Sequence, residues 1–263
     1  SAVSDVYKRQ DKDLGIDIVW HSDVDDATQT IVDNLKDAKK IGVDKHWSAN
    51  FLLDLMEKLP DVKFVNGSKC VDYKRMVKDD HEQQLMIEAS RINDQAIHEV
   101  IHQVSLGLSE LEVAAKLGDI YSKFGGEGNS FDAIIAYGAN GANPHHENDD
   151  SRLKPGDSII IDMVCKYQGY CSDMTRTVFI GEVSDRAREV YEVVKEAQAR
   201  GIAASKPGNR MCDVDLACRN YIEEKGFGKY FTHRTGHSIG MEDHEFGDVS
   251  SVNEAVSYTH LTL

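Results

Sequence analysis

Hydrophobic and polar positions alternate in kind over residues 23–66. Asp23 to Lys40 carries Ile31, Val32 and Leu35 on one side of a helical period, which predicts an amphipathic helix. Ile41-Gly42-Val43-Asp44 predicts a short strand. Ser48 can cap a second helix bearing Phe51, Leu52, Leu55 and Met56, which Pro60 ends; Val62 to Val65 predicts another strand. This α-β-α-β rhythm belongs to a small parallel α/β unit.

The pattern lengthens near Asp79. Residues 80–105 repeat Leu85, Ile87, Ile92, Ala96, Ile97, Val100 and Ile101 at helical spacing, and Gly107 closes the run. Ser109 and Glu112 form a capping box for a helix that extends to about Phe124. Strands are predicted over Phe131 to Tyr137, Ser158 to Cys165 and Tyr170 to Ile180. Ser184 caps a long helix to about Ser205, and a second runs from Met211 to Lys225 before Gly226. Gly107, Val113 and Gly125 recur as Gly208, Val214 and Gly226, each 101 residues on, which suggests an internal duplication.

Composition adds mainly exclusions. With 41% hydrophobic and 29% charged residues the 263-residue chain is globular in type, and no window approaches the 18 apolar residues a membrane span needs. A net charge of −15 without a local basic patch repels a phosphate backbone, so neither nucleic acid nor membrane is an expected partner. Five cysteines, an odd count with no C-x-x-C pair, read as reduced thiols in a cytoplasmic protein.

Candidate chemistry gathers around Ile159-Ile160-Ile161-Asp162 and Cys171-Ser172-Asp173. A hairpin centred between Tyr167 and Gln168 sets Asp162 directly opposite Asp173, with Cβ atoms about 5 Å apart. Two facing carboxylates beside an apolar strand repel each other unless something cationic lies between them. A pair of divalent ions resolves that conflict; a solvated hairpin tip with two surface aspartates is the other reading of the same spacing. His145 precedes the hairpin, and His237 and His244 lie in Gly236-His237-Ser238-Ile239-Gly240 and Asp243-His244-Glu245. Imidazole with carboxylate suits manganese, cobalt, zinc or iron. The remaining templates fail: His244-Glu245 does not continue as H-E-x-x-H, and neither a dinucleotide fingerprint, a P-loop nor a G-x-S-x-G elbow is present.

From about Asp79 to Glu254 the chain resembles the catalytic domain of the pita-bread metallopeptidases, the group of Xaa-Pro aminopeptidases, Xaa-Pro dipeptidases (prolidases) and methionine aminopeptidases. The resemblance is carried by Phe131-Asp132-Ala133-Ile134-Ile135-Ala136, Asn143-Pro144-His145, Asp162 with Asp173, Gly236-His237-Ser238-Ile239-Gly240 and His244-Glu245. It implies an α+β pita-bread (creatinase/aminopeptidase) catalytic domain over 76–255, lacking its last strands, and a partial amino-terminal α/β domain over 11–75. The latter points to the Xaa-Pro members. Implied with it are a metal-dependent peptidase that removes the residue before proline, a proline-containing peptide as substrate, a homodimer, and two divalent metal ions, Mn2+ first, with Co2+, Zn2+ or Fe2+ possible.

The resemblance also implies roles. Asp162, Asp173 and His237 are metal ligands, His145 and His244 are catalytic, and His233 lines the substrate site. A non-catalytic pita-bread protein that binds a peptide or another protein is the alternative, and metal-free C–N hydrolysis of the creatinase kind a third option. The family's two further glutamate ligands have no counterpart between Glu245 and Leu263. Residues 1–10 and 256–263 resemble translated adapter sequence. The expectation is therefore an incomplete copy that holds metal weakly and turns over little.

Overall fold

The computed structural model describes residues 19–35, 37–105, 107–256 and the backbone of 261–262. The expected adapter-like segment 1–10, residues 11–18 of the expected amino-terminal domain, and residues 257–260 and 263 lie outside the described residues. The chain divides into two compact units, Ser1–Val71 and Asp72–Leu263.

In the smaller unit, helix α1 (Ala27–Asn34), strand β1 (Lys40–Val43), helix α2 (Ala49–Lys58) and strand β2 (Lys63–Asn66) follow the predicted rhythm. β1 and β2 pair in parallel, Ile41 opposite Phe64. The first helix is shorter than its periodicity suggested. Asp26 caps it by accepting from Gln29 N, and the left-handed Asp37 (φ 59°) turns the chain before β1. Lys58 joins the two helices, 2.6 Å from Asp26 and 2.9 Å from Asp54.

A helix the sequence reading lacked, α3 (Ser68–Met76), precedes α4 (Asp80–Ser105). Its charged and polar positions leave no continuous apolar stripe, so periodicity does not reveal it. α4 buries Met86, Ala89, Ile92, Ala96, Ile97, Val100 and Val104, with Asn93 as the one polar member of that stripe. The Ser109 capping box forms as predicted, but the helix beyond it breaks near Ala115 into α5 (Glu110–Ala114) and α6 (Leu117–Lys123).

Strands β3 (Ile134–Tyr137), β4 (Ser158–Tyr167) and β5 (Tyr170–Phe179) form an antiparallel sheet that α4 covers. Ile135, Ile159, Ile161 and Met163 meet Ile92, Ala96, Val100 and Tyr121 in the main core. The β4–β5 register corrects the sequence expectation. Tyr167 pairs with Tyr170, so the turn is Gln168-Gly169, with Asp162 opposite Thr175 and Asp173 opposite Val164. A two-residue hairpin of this type needs two positive φ angles; Gly169 supplies one at 82° and Gln168 the other at 45°. A register change of two preserves parity, so the carboxylates stay on one face as diagonal rather than direct neighbours.

The second half opens with α7 (Asp185–Ala204), capped by Ser184, and α8 (Met211–Glu224). Strands β6 (Gly236–Ser238), β7 (Glu245–Val249) and β8 (Leu261–Thr262) form a sheet in the order β7-β6-β8. The suspected duplication has a conformational counterpart. Gly107 and Gly208 sit at φ 77° and 93°, Gly125 and Gly226 at 90° and 81°, and Val113 and Val214 are both fully buried. No helix among the described residues is long and apolar enough to cross a membrane.

Candidate metal centre

The first arm of the site is the β4–β5 hairpin. Its apolar positions face the core, and the same alternation leaves Asp162 and Asp173 on the other side. Asn93, buried in α4, fixes the hairpin from behind. Its amide nitrogen donates to Met163 O (3.2 Å) and Ser172 O (2.9 Å), and its amide oxygen accepts from Tyr121 Oη (3.0 Å). These carbonyls belong to the residue after Asp162 and the residue before Asp173. One side chain therefore sets the spacing of the carboxylate pair.

The second arm is β6 with its flanking loops. The buried Asp215 on α8 accepts from Thr235 N (3.1 Å), Thr235 Oγ1 (2.7 Å) and the Arg219 guanidinium (2.7 and 3.0 Å). Arg219 in turn donates to Phe231 O and His233 O, which locks the approach to His237. Beyond β6, Gly240 O accepts from Cys171 N at 2.7 Å, tying this loop to the start of β5. A Cβ on Gly240 would lie 2.7 Å from the Glu245 carboxylate, so the close approach requires glycine. Glu245, 5% exposed, accepts from Arg75 (2.6 Å), Lys78 (3.1 Å) and Met241 N (2.9 Å), and so holds the turn that carries Asp243 and His244.

These arms bring Asp162, Asp173, His237 and His244 together. His237 Nε2 lies 3.2 Å from Asp173 Oδ2, and the His237 and His244 rings are 4.0 Å apart. His237 Nδ1 faces Ser238 O at 3.1 Å. A carbonyl only accepts, so Nδ1 carries a proton and Nε2 is left to face the carboxylate pair. Burial works against a protonated His237, but the Asp173 and Ser238 hydrogen bonds outweigh it and raise its pKa. Burial pushes the Asp162 carboxyl upward, and Asp173 adds to the shift against a lowering hydrogen bond from Thr175. Among the described residues neither aspartate has a Lys or Arg ion pair. Two sheltered carboxylates, a buried imidazole and no fixed cation are a donor set that fits a divalent ion.

The second pair of predicted residues lies at the rim. His145 and His233 are exposed, one from each half, with ring centroids 6.3 Å apart. The loop bearing His145 is anchored by Glu110, which is fully buried at the start of α5. Its carboxylate accepts from Tyr137 N (2.8 Å), Asn140 Nδ2 (2.9 Å) and Asp149 N (3.0 Å), and meets His146 Nε2 at 2.6 Å. Glu110, His146 and Asp149 could be taken for a second cation site. The four partners of Glu110 already satisfy it, which makes it an anchor. Sequence reading missed Asn93, Glu110 and Asp215 because burial of a polar side chain leaves no mark on periodicity. It also passed over Asp243, which sits beside His237 and His244. Burial, reinforced by Asp173, pushes the Asp243 carboxyl up to about 6.

Comparison with known proteins identifies relatives of both units. The profile of metallopeptidase family M24 matches residues 84–261, and that of the creatinase/prolidase N-terminal domain matches residues 3–77. The Xaa-Pro dipeptidase of Pyrococcus horikoshii is 35% identical over 222 residues, 84% of this chain and 63% of that protein. The Xaa-Pro dipeptidase of Pyrococcus furiosus is 35% identical over 226 residues, 86% of this chain and 65% of its own length. The chain thus spans less than two thirds of these curated relatives. Among solved structures, an Xaa-Pro dipeptidase from Bacillus anthracis superposes with a TM-score of 0.86 at 33% identity, covering 95% of this chain and 71% of that one.

Proposed function

The chain belongs to metallopeptidase family M24, and from that premise we propose that the protein is a metal-dependent peptidase acting on Xaa-Pro bonds of proline-containing peptides. The observation that carries this reading is the diagonal Asp162/Asp173 pair, sheltered, without a Lys or Arg ion pair among the described residues, and facing His237. Asp162, Asp173 and His237 would hold divalent metal, with two ions, Mn2+ first, as the family expectation. Metal bound there supplies electrophilic polarisation of a scissile carbonyl and a lowered pKa for water.

The surrounding residues take the remaining roles. Arg234 Nη2 lies 3.3 Å from His244 Nδ1. A guanidinium only donates, so Nδ1 accepts and the neutral ring keeps its proton on Nε2. Burial lowers the His244 pKa, and His237 and Arg234 lower it further, which favours that neutral form. His244 can therefore donate from Nε2 to an oxygen that gains negative charge during attack. His233 donates its Nδ1 proton to Arg234 O (3.0 Å), leaving Nε2 as an acceptor for substrate beside His145. His145, on the loop that Glu110 anchors, would meet the leaving nitrogen. Cytoplasmic location enters this proposal from the cysteine usage, and homodimer assembly from the family resemblance alone.

The test is cleavage of Xaa-Pro dipeptides and longer Xaa-Pro peptides with added Mn2+. Hydrolysis that is lost on chelation and in Asp173→Ala is the expected result, and the preferred peptide length separates dipeptidase from aminopeptidase action. Hydrolysis insensitive to chelator contradicts the reading.

A further inference from the structure

We infer that Asp243 is a further carboxylate donor to the cation held by Asp162, Asp173 and His237. The inference rests on the metal-centre reading above and adds a residue to it. Asp243 Oδ1 is buried and has no hydrogen-bond partner among the described residues. One ligand atom each from His237 and Asp243 lie within 4.8 Å of each other, a spacing that a single ion can span, while His244, the third member of that group, keeps its role as a proton donor. The other oxygen, Oδ2, is 3.4 Å from His244 Nε2, too long to satisfy it.

The surroundings argue against a structural purpose for this carboxylate. Its nearest negative charges are Asp173 and Asp162, so a third carboxylate here worsens the repulsion unless a cation joins the group. The neighbouring guanidinium of Arg234 lies 3.0 Å from Asp248 and 3.3 Å from His244, and its Nε forms no hydrogen bond with Asp243 or any other described residue. Nor is Asp243 on a loose loop. Gly240 O is bound by Cys171 N and Met241 N by Glu245, so the backbone on its amino-terminal side is fixed, and Glu245 follows two residues later. A buried, oriented carboxylate oxygen left without a partner costs stability, and a divalent ion relieves that cost while drawing its remaining donors from the hairpin. With Asp243 the described residues offer four nitrogen or oxygen donors to one ion instead of three.

The experiment titrates the 263-residue chain with Mn2+ by calorimetry and records the visible spectrum of its Co2+ form, for the wild type, Asp243→Asn, Asp173→Asn and the surface control Asp94→Asn, an exposed position on α4. Asn keeps the shape of Asp, and circular dichroism confirms that each variant folds. Asp243→Asn is expected to weaken Mn2+ binding about tenfold or more, on the scale of losing a partner at a metal site, and to change the Co2+ bands. Asp173→Asn is expected to abolish binding, and Asp94→Asn to leave it unchanged. A wild-type Kd and Co2+ spectrum in Asp243→Asn, with binding lost in Asp173→Asn, overturns the role of Asp243 but leaves the metal centre standing. No Mn2+ binding by the wild-type chain, or undiminished binding in Asp173→Asn, overturns both.

Discussion

Two sets of sheltered carboxylates divide the larger unit. Glu110, Asp215 and Glu245 are each met by several donors: backbone N–H groups with His146 for the first, Thr235 and Arg219 for the second, Arg75 and Lys78 for the third. Burial pushes Asp215 and Glu245 upward, but these partners win and both pKa values fall below the ordinary range. Asp162 and Asp243 are sheltered as well, yet they face one another's charge and Asp173, and both rise. A sheltered carboxylate is an anchor where cationic or multiple donors surround it and a candidate metal ligand where other carboxylates do. The anchors belong to the elements that hold the two arms; the mutually repelling set lies where the arms meet.

Breaking an anchor should therefore cost far more than neutralising a site carboxylate. The largest effect is expected for Glu110→Ala, which leaves Tyr137 N, Asp149 N and His146 without their acceptor. Urea denaturation should show a loss of about 3–5 kcal/mol. Asn93→Leu comes next. It strands the Tyr121 hydroxyl and removes the second hydrogen bond to the Met163 and Ser172 carbonyls, and thermal unfolding should show a loss of about 1–3 kcal/mol.

The Asp215 anchor predicts a pH effect of definite sign. Its folded pKa lies below the ordinary value of 3.8, so its stabilisation is complete above that pH and is lost as pH falls through the folded value. A melting-temperature profile of Asp215→Asn should lack this part of the acid limb. The smallest effect should come from Asp162→Asn in the presence of chelator. A raised carboxylate costs stability at pH 7, where both states are charged, so removing its charge should leave stability unchanged or raise it by up to about 1 kcal/mol. A loss as large as that of Glu110→Ala would erase the distinction between the two sets.

Much of the frame was legible because its signals are local. The period of α4, the Ser109 capping box, the Ser184 cap and the paired glycines at 107/208 and 125/226 each act within a turn or two of chain. The five motif residues Asp162, Asp173, His237, His244 and His145 could be named for the same reason. What escaped depended on distant contacts or on unusual turn chemistry. The hairpin was centred one residue early because Gln168 takes a positive φ that glutamine seldom adopts. The face of the carboxylates survived that error, since a shift of two keeps every side chain on its side. Asn93, Glu110 and Asp215 look like ordinary polar helix residues until the hairpin and loops pack over them. Asp243 gains its meaning only from the neighbours that β5 and β6 bring to it.

The most direct measurement is the melting temperature of the chain with Mn2+ and with chelator, for the wild type and Asp173→Asn. A ligand bound only by the folded state stabilises by about 2.7 kcal/mol at a concentration a hundred times its Kd. The account predicts a rise for the wild type that grows with Mn2+ and disappears in Asp173→Asn. An unmoved wild type, or an equal rise in the variant, would contradict it.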